Sequence, residues 1–193
     1  MSDEAPAGLL GQLRAVLLYR DRELRSTWER SLPFGDAIGD RWERAARLGF
    51  GEGSSVYDSC VLLGDVRVGD HTWIGPFTLL DGSGGGLVIG SHCSISAGVH
   101  LYTHDTVLRS LSGGVLDAQR SPTAVGDRTY LGSQVVVARG VTIGSHCVVG
   151  ANSFVNDDVP HRAVVAGSPA RVIGRVEGDG ETVRIVYERP TDG

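Results

Sequence analysis

The chain has 193 residues, 41% hydrophobic and 21% charged, enough for one domain with a sizeable core and too apolar for disorder. Its formal net charge is −5 and all 18 basic residues are arginine, which argues against an exposed basic stripe for nucleic acid. Twenty-eight glycines without a collagen period, and three separated cysteines without a CxxC pair, exclude a triple helix and argue against a disulfide framework or a thiolate zinc site.

The opening MSDEAPAG carries acids where a secretory leader needs cations, and the chain contains no apolar run long enough to span a bilayer. The expectation is a soluble, cytoplasmic protein with no membrane insertion. Apolar residues at Leu9, Leu10, Leu13, Val16, Leu17 and Leu24 predict an amphipathic helix over 9–32, ended by Pro33. A second helix is predicted over about 36–48, and Gly49 to Gly53 lead out of it. Residues 1–53 thus form an N-terminal helical segment, which would either cap the domain formed by the rest of the chain or help to shape an acceptor pocket.

From residue 54 to about 175 the chain repeats every six residues. Aliphatic side chains start rows at Val56, Leu62, Val68, Ile74 and Leu80, then at Ile89, Ile95 and Leu101, then at Val125, Leu131, Val137, Ile143, Val149 and Val155. The next position is usually small or acidic, and the fifth is small or β-branched. A period of six fits neither alternation nor an amphipathic helix. A two-residue strand plus a tight turn does fit, and three such units close a triangular coil with the aliphatic residues stacked inside. Cys60, Cys93 and Cys147 fall on the inward fifth position and read as small core residues. His71, His92 and His146 fall on the fourth and read as turn residues.

The period breaks twice. Leu80 and Ile89 are nine residues apart, and the surplus lies in the glycine-rich run 81–86, which permits a bulge. After Leu101 the motif YTHD opens a stretch that fails the template until Val125, an excursion over 105–122; loops of that length are usually functional. Counting rows places the bulge, His104 and the segment 138–140 on one edge of the prism. In VAGSPARVI, residues 165–173, Gly167 and Pro169 turn the chain out of the coil while Arg171 offers an anion a forked donor. Residues 176–193 form a tail that adds a short strand or frays.

This row pattern and its closing VAGSPARVI segment resemble the hexapeptide-repeat, left-handed β-helix acyltransferases, in particular the maltose, galactoside and polysaccharide O-acetyltransferases. The resemblance covers 54–175 and implies a mainly β fold, a left-handed parallel β-helix, acting with acetyl-CoA and without a metal as a homotrimer whose sites lie between subunits. It implies His104 as the general base, which suits a hydroxyl acceptor because a hydroxyl keeps its proton until attack. It also implies the Ser133 N–H as oxyanion donor, Gly132, Ser133, Gly150 and Ala151 along the pantetheine arm, and Arg171 near the CoA phosphates. His100 and His161 read as structural.

Two departures stand out. Asp157 occupies a place where relatives often carry lysine, and no asparagine precedes the bulge, so acceptor contacts fall to Thr78, Asp81 and Ser83, with Tyr130 in the place of a relative's aromatic. Outward apolar residues such as Trp73 and Val136 would suit a trimer. The expected activity is O-acetylation of a sugar, glycan precursor or nucleotide-linked sugar. An N-acetyltransferase of an amino sugar or aminoglycoside-like metabolite, and a non-catalytic β-helix scaffold, remain alternatives. A γ-carbonic-anhydrase-like zinc site needs two histidines five residues apart, whereas His100 and His104 are four apart.

Overall fold

In the computed structural model, which describes residues 8–187, three helices lead into a three-faced parallel β-helix. Helix α1 is Leu9–Trp28, α2 is Phe34–Ile38 and α3 is Arg41–Arg47. Each row of the β-helix supplies a short strand whose inner residue is buried against the rows above and below. Face one stacks Val56, Ile74, Ile95, Leu131, Val149 and Val165. Face two stacks Leu62, Leu80, Leu101, Val137 and Val155. Face three stacks Val68, Ile89, Val125 and Ile143. All of these are buried except Leu62, which is half-buried, so the expected rows are the core.

Strand partners are 18 residues apart in regular coils, as in Tyr130↔Val148. The interval widens across the two irregularities, to Trp73↔Ser94 at the bulge and Ser94↔Tyr130 at the excursion. It narrows to Val148↔Val164 in the last coil. That last interval corrects the expected frame at Val159. The repeat placed Val159 at the fifth position of the row begun by Val155, but it bridges Ile143 and so starts a row on face three. Two residues are missing from the preceding turn, and the next row begins at Val165.

The turns have one recurring conformation. Fourth-position residues His71, His92 and His146 have φ of 53°, 57° and 59°, and Phe77, Arg128, Gln134, Asn152 and Arg162 share this left-handed region. His104 is also the fourth residue of its row, begun by Leu101, yet it does not share the conformation. Its edge is built differently. The three cysteines lie inside as expected, and each thiol donates to a carbonyl: Cys60 Sγ to Gly75 O at 2.9 Å, Cys93 Sγ to Gly126 O at 3.2 Å and Cys147 Sγ to Pro160 O at 3.1 Å. Burial pushes all three thiols up from their ordinary range, which keeps them protonated.

The N-terminal helices differ from the expected two. Helix α1 stops at Trp28 because Glu29 turns left-handed; its N–H caps the Arg25 carbonyl and the Arg30 N–H caps that of Leu24. The stretch read as one helix over 36–48 is split at Gly39, and the Asp40 carboxylate starts α3 by accepting the N–H groups of Trp42 at 2.8 Å and Glu43 at 3.0 Å. Covering the first coil falls to α3 and its exit, since Ala45 and Phe50 join the core cluster whereas α1 buries no residue fully. At the other end, Ala163–Gly167 and Ala170–Glu177 form an antiparallel hairpin, extended by Arg184–Tyr187. The expected boundary at 175/176 therefore falls inside a strand. The last residues of the tail, 188–193, and residues 1–7 lie outside the described residues.

Candidate active site

The edge between faces two and three is where the period fails. Leu79–Ile89 is one long strand that runs across it, pairing in register with Val61–Val68 up to Gly64↔Gly82 and resuming at Val66↔Leu87. The intervening residues arch outward, and only glycine fits at the crossing. A Cβ on Gly82 would meet the Asp65 carbonyl oxygen, and one on Gly84 the Thr103 carbonyl oxygen. Thr103 is buried and fastens the arch, since its Oγ1 donates to Asp81 O at 2.7 Å and accepts the Gly84 N–H at 2.8 Å.

This fastening brings together residues that are far apart in sequence. The Asp81 side chain is 1% exposed, and its Oδ1 accepts the Ser83 N–H at 3.0 Å and the Ser83 hydroxyl at 2.6 Å. Its Oδ2 accepts from His104 Nδ1 at 2.6 Å. Ser83 Oγ is also 3.3 Å from that ring nitrogen. Burial alone would raise the Asp81 carboxyl, but the two bonds from Ser83 and the one from His104 outweigh it and hold the group below the ordinary carboxylate range. A carboxylate on Nδ1 fixes the proton there and leaves Nε2 as the basic nitrogen. The His104 side chain is 35% exposed, so a ligand can reach it.

The excursion begins at His104 and is structured. His104–Asp105 pairs antiparallel with Gln119–Arg120, and a short helix, α4, spans Val107–Leu111. Arg139, from the neighbouring coil, holds both arms: its guanidinium donates to the Asp105 carboxylate and to the Gln119 side-chain oxygen. The Val107 N–H and then Arg139 keep the Asp105 carboxyl low. The bulge, His104 and 138–140 thus share one edge, as row counting implied.

Other expected site residues lie elsewhere. Thr78 is turned into the coil, 1% exposed, with its hydroxyl donating to Gly75 O at 2.7 Å, so it is a core residue and not an acceptor contact. Asp81 likewise faces His104 from a buried position rather than solvent. Ser83 does sit at the histidine. Gly132, Ser133, Gly150 and Ala151 lie on the edge between faces one and two. The Gly132 and Gly150 N–H groups are engaged in the coil, on Val149 O and Val165 O at 2.8 Å each. Those of Ser133 and Ala151, on exposed residues, have no partner among the described residues. Only these two of the four can donate to a ligand.

Arg171 is exposed on the closing hairpin, its guanidinium on Ala170 O at 2.7 Å and 3.7 Å from Asp157. Tyr130 faces outward on face one, beside His146 and the hairpin residues Val176 and Ile185. Of the expected residues, Asp81, Ser83 and His104 therefore share one edge of the prism, and Gly132, Ser133, Gly150 and Ala151 another. His100, whose Nδ1 is 3.3 Å from Tyr102 Oη, and His161, whose Nδ1 accepts the Ser145 N–H at 2.9 Å, have local partners. Sequence reasoning missed Thr103 and Arg139; Thr103 had a signal, a hydroxyl between the row start and the histidine in YTHD.

Among the described residues no cluster of three or more metal-ligating side chains gathers, and no helix is long and apolar enough to cross a membrane. The family model described as bacterial transferase hexapeptide (six repeats) matches residues 122–157. The Escherichia coli (strain K12) protein named "Putative colanic acid biosynthesis acetyltransferase WcaF" is 36% identical over 114 residues, covering 56% of this chain and 57% of that protein. The chain thus spans little more than half of that relative. Galactoside O-acetyltransferase from the same strain is 46% identical over 55 residues, 28% of this chain and 27% of its own. Among solved structures, a hexapeptide-repeat-containing acetyltransferase of Vibrio cholerae O1 biovar eltor, complexed with acetyl-coenzyme A, is 30% identical with a TM-score of 0.65 over 92% of this chain and 94% of that one. A Bacillus cereus N-acyltransferase, AntD, shares the fold at 23% identity and a TM-score of 0.60, over 65% of this chain and 72% of its own.

Proposed function

Because the chain belongs to the hexapeptide-repeat acetyltransferase family, we propose that it transfers the acetyl group of acetyl-CoA to a carbohydrate hydroxyl, with His104 as general base. The observation that carries this reading is the 2.6 Å contact between Asp81 Oδ2 and His104 Nδ1 at the mouth of the excursion. It leaves Nε2 to accept the hydroxyl proton as oxygen bonds to the thioester carbonyl carbon. Charge then builds on the carbonyl oxygen. Collapse of the tetrahedral adduct breaks the C–S bond, and the thiolate leaves with the proton held by the imidazole. Asp81 stays ionised throughout and stabilises the transient imidazolium.

In this reading the Ser133 N–H receives the oxyanion, the Ala151 N–H binds the pantetheine arm and Arg171 meets the CoA phosphates. His104 and these groups occupy different edges of one prism, so a site using all of them needs a second copy. The protein in our reading is a homotrimer with each site between two chains. The outside of face two favours this, a mostly apolar column interrupted by His100: Val61 and Phe154 are exposed, and Leu79 and Val136 half-buried. Trp73 argues less, because it lies on face one and already packs edge-on against Tyr57 at 6.3 Å.

The excursion 105–122, held by Arg139, walls the acceptor side, which suits a glycan or a nucleotide-linked sugar. The test is incubation with acetyl-CoA and paired hydroxyl- and amino-sugar acceptors, followed by mass spectrometry. An acetyl group released by hydroxylamine is expected. A hydroxylamine-resistant acetyl group on nitrogen would move the assignment to N-acetylation, and no CoA release with any acceptor would favour a scaffold.

A further inference from the structure

A cavity of about 290 Å³ lies between α1, the α2–α3 segment and the first coil, remote in the fold from the edge that carries His104. It is close to the lower end of small-molecule sites, roughly 300 Å³. Its lining is unusual for an acidic chain: Arg20, Arg30, Arg41, Arg44 and Arg47 are five of the 18 arginines. The three carboxylates there do not balance them. Asp40 caps α3, Asp58 is 3.6 Å from Arg44, and Asp36 Oδ1 accepts the N–H of Ser59 at 3.2 Å and that of Asp58. Arg20 is paired with Glu23. Arg30, Arg41 and Arg47 have no carboxylate partner among the described residues.

The walls are also aromatic. Trp28 and Trp42 line the cavity and are 63% and 51% exposed, and Tyr57 closes it, its hydroxyl accepting from Arg41 at 2.9 Å. The Arg41 guanidinium lies 4.2 Å over the Trp42 ring, which orients the cation. Asp36 also lines the cavity, but its Oδ2 is shut from solvent without a hydrogen-bond partner, so the contacts open to a ligand are those of the arginines and aromatics.

We propose that this cavity binds a nucleoside diphosphate, at a site separate from acetyl transfer. Forked guanidiniums without carboxylate partners suit a diphosphate, and half-exposed indoles suit the face of a planar base. Neither His104, Ser133 nor Arg171 lines the cavity, so this inference does not depend on the reading of the catalytic edge.

Two of the three tryptophans line the cavity and the third, Trp73, packs against its Tyr57, so intrinsic fluorescence reports on it. The full-length protein is titrated with UDP and with ADP, and with uridine and inorganic pyrophosphate as half-ligands. Saturable quenching is expected from the diphosphates, with each half-ligand weaker by roughly tenfold or more. Arg30 and Arg47 have no side-chain partners among the described residues, so Arg30→Ala/Arg47→Ala should weaken binding by roughly tenfold or more with circular dichroism and melting unchanged. Arg30→Lys/Arg47→Lys should restore part of it, and His104→Ala should leave it intact. The proposal is overturned by an absence of saturable quenching, by a pyrophosphate response equal to that of the diphosphates, by a response the arginine variants do not change, or by acetyl-CoA displacing the nucleotide in an Arg171-dependent way.

Discussion

At the scale of single residues, the proposed chemistry rests on a buried carboxylate and the imidazole it holds. Asp81 has a lowered pKa, so its contribution to stability is present above the unfolded value near about 3.9 and is lost as pH falls through the lower folded value. Asp81→Asn should therefore melt below the parent protein, by about 1–3 kcal/mol of stability, across neutral and mildly acidic pH. The gap should close only below about pH 4, as melting curves at stepped pH would show. A gap that closed already near neutrality would mean that another group titrates. Ser133→Ala should keep turnover within a few-fold, because the donor invoked is its backbone N–H; a severe loss would assign the work to the hydroxyl. His104 was legible from its place after a threonine at the loop mouth. Its partner was not, because the two meet only after a full coil and a bulge intervene, and an acceptor role for Asp81 presupposes exposure that the arch denies it. Thr78 was a readable error, since its fifth-position slot already pointed inward.

Among elements, the six-residue period carried most of the fold because each row repeats one small physical requirement, an aliphatic residue that can only be buried by its neighbours. Removing one such residue leaves a cavity between stacked coils, so Ile95→Ala should cost about 2–5 kcal/mol in denaturant unfolding. What the period could not reveal were the places where caps and turns decide. Gly39 and Asp40 split a predicted helix, and a two-residue shortening moved Val159 into a new row. The bulge is the element on which the site depends. Gly84→Ala would drive a methyl group into the Thr103 carbonyl and toward the His104 side chain, whose Cβ would be 2.9 Å away. Turnover should then fall by about tenfold or more, with acetyl-CoA affinity nearly unchanged, as steady-state kinetics beside direct binding would report. Full activity in that variant would show that the arch is not what positions the histidine.

For the whole molecule, one prism carries the proposed base on one edge and free amide donors on another, which is why assembly belongs to the functional reading. Light scattering should return three times the 20.4 kDa chain mass; a monomer at working concentration would remove the shared site. The acceptor was the least legible part, because in the proposed reading its contacts come from a loop that obeys no period and from a neighbouring chain. The central claim is that proton removal by His104, held by Asp81, drives acetyl transfer. Its most direct measurement is CoA release by His104→Ala at saturating acetyl-CoA and acceptor, beside the parent protein. The expected result is a loss of about 10²–10⁴-fold in kcat with the acetyl-CoA KM within a few-fold. Near-normal turnover by a folded, correctly assembled variant would contradict it.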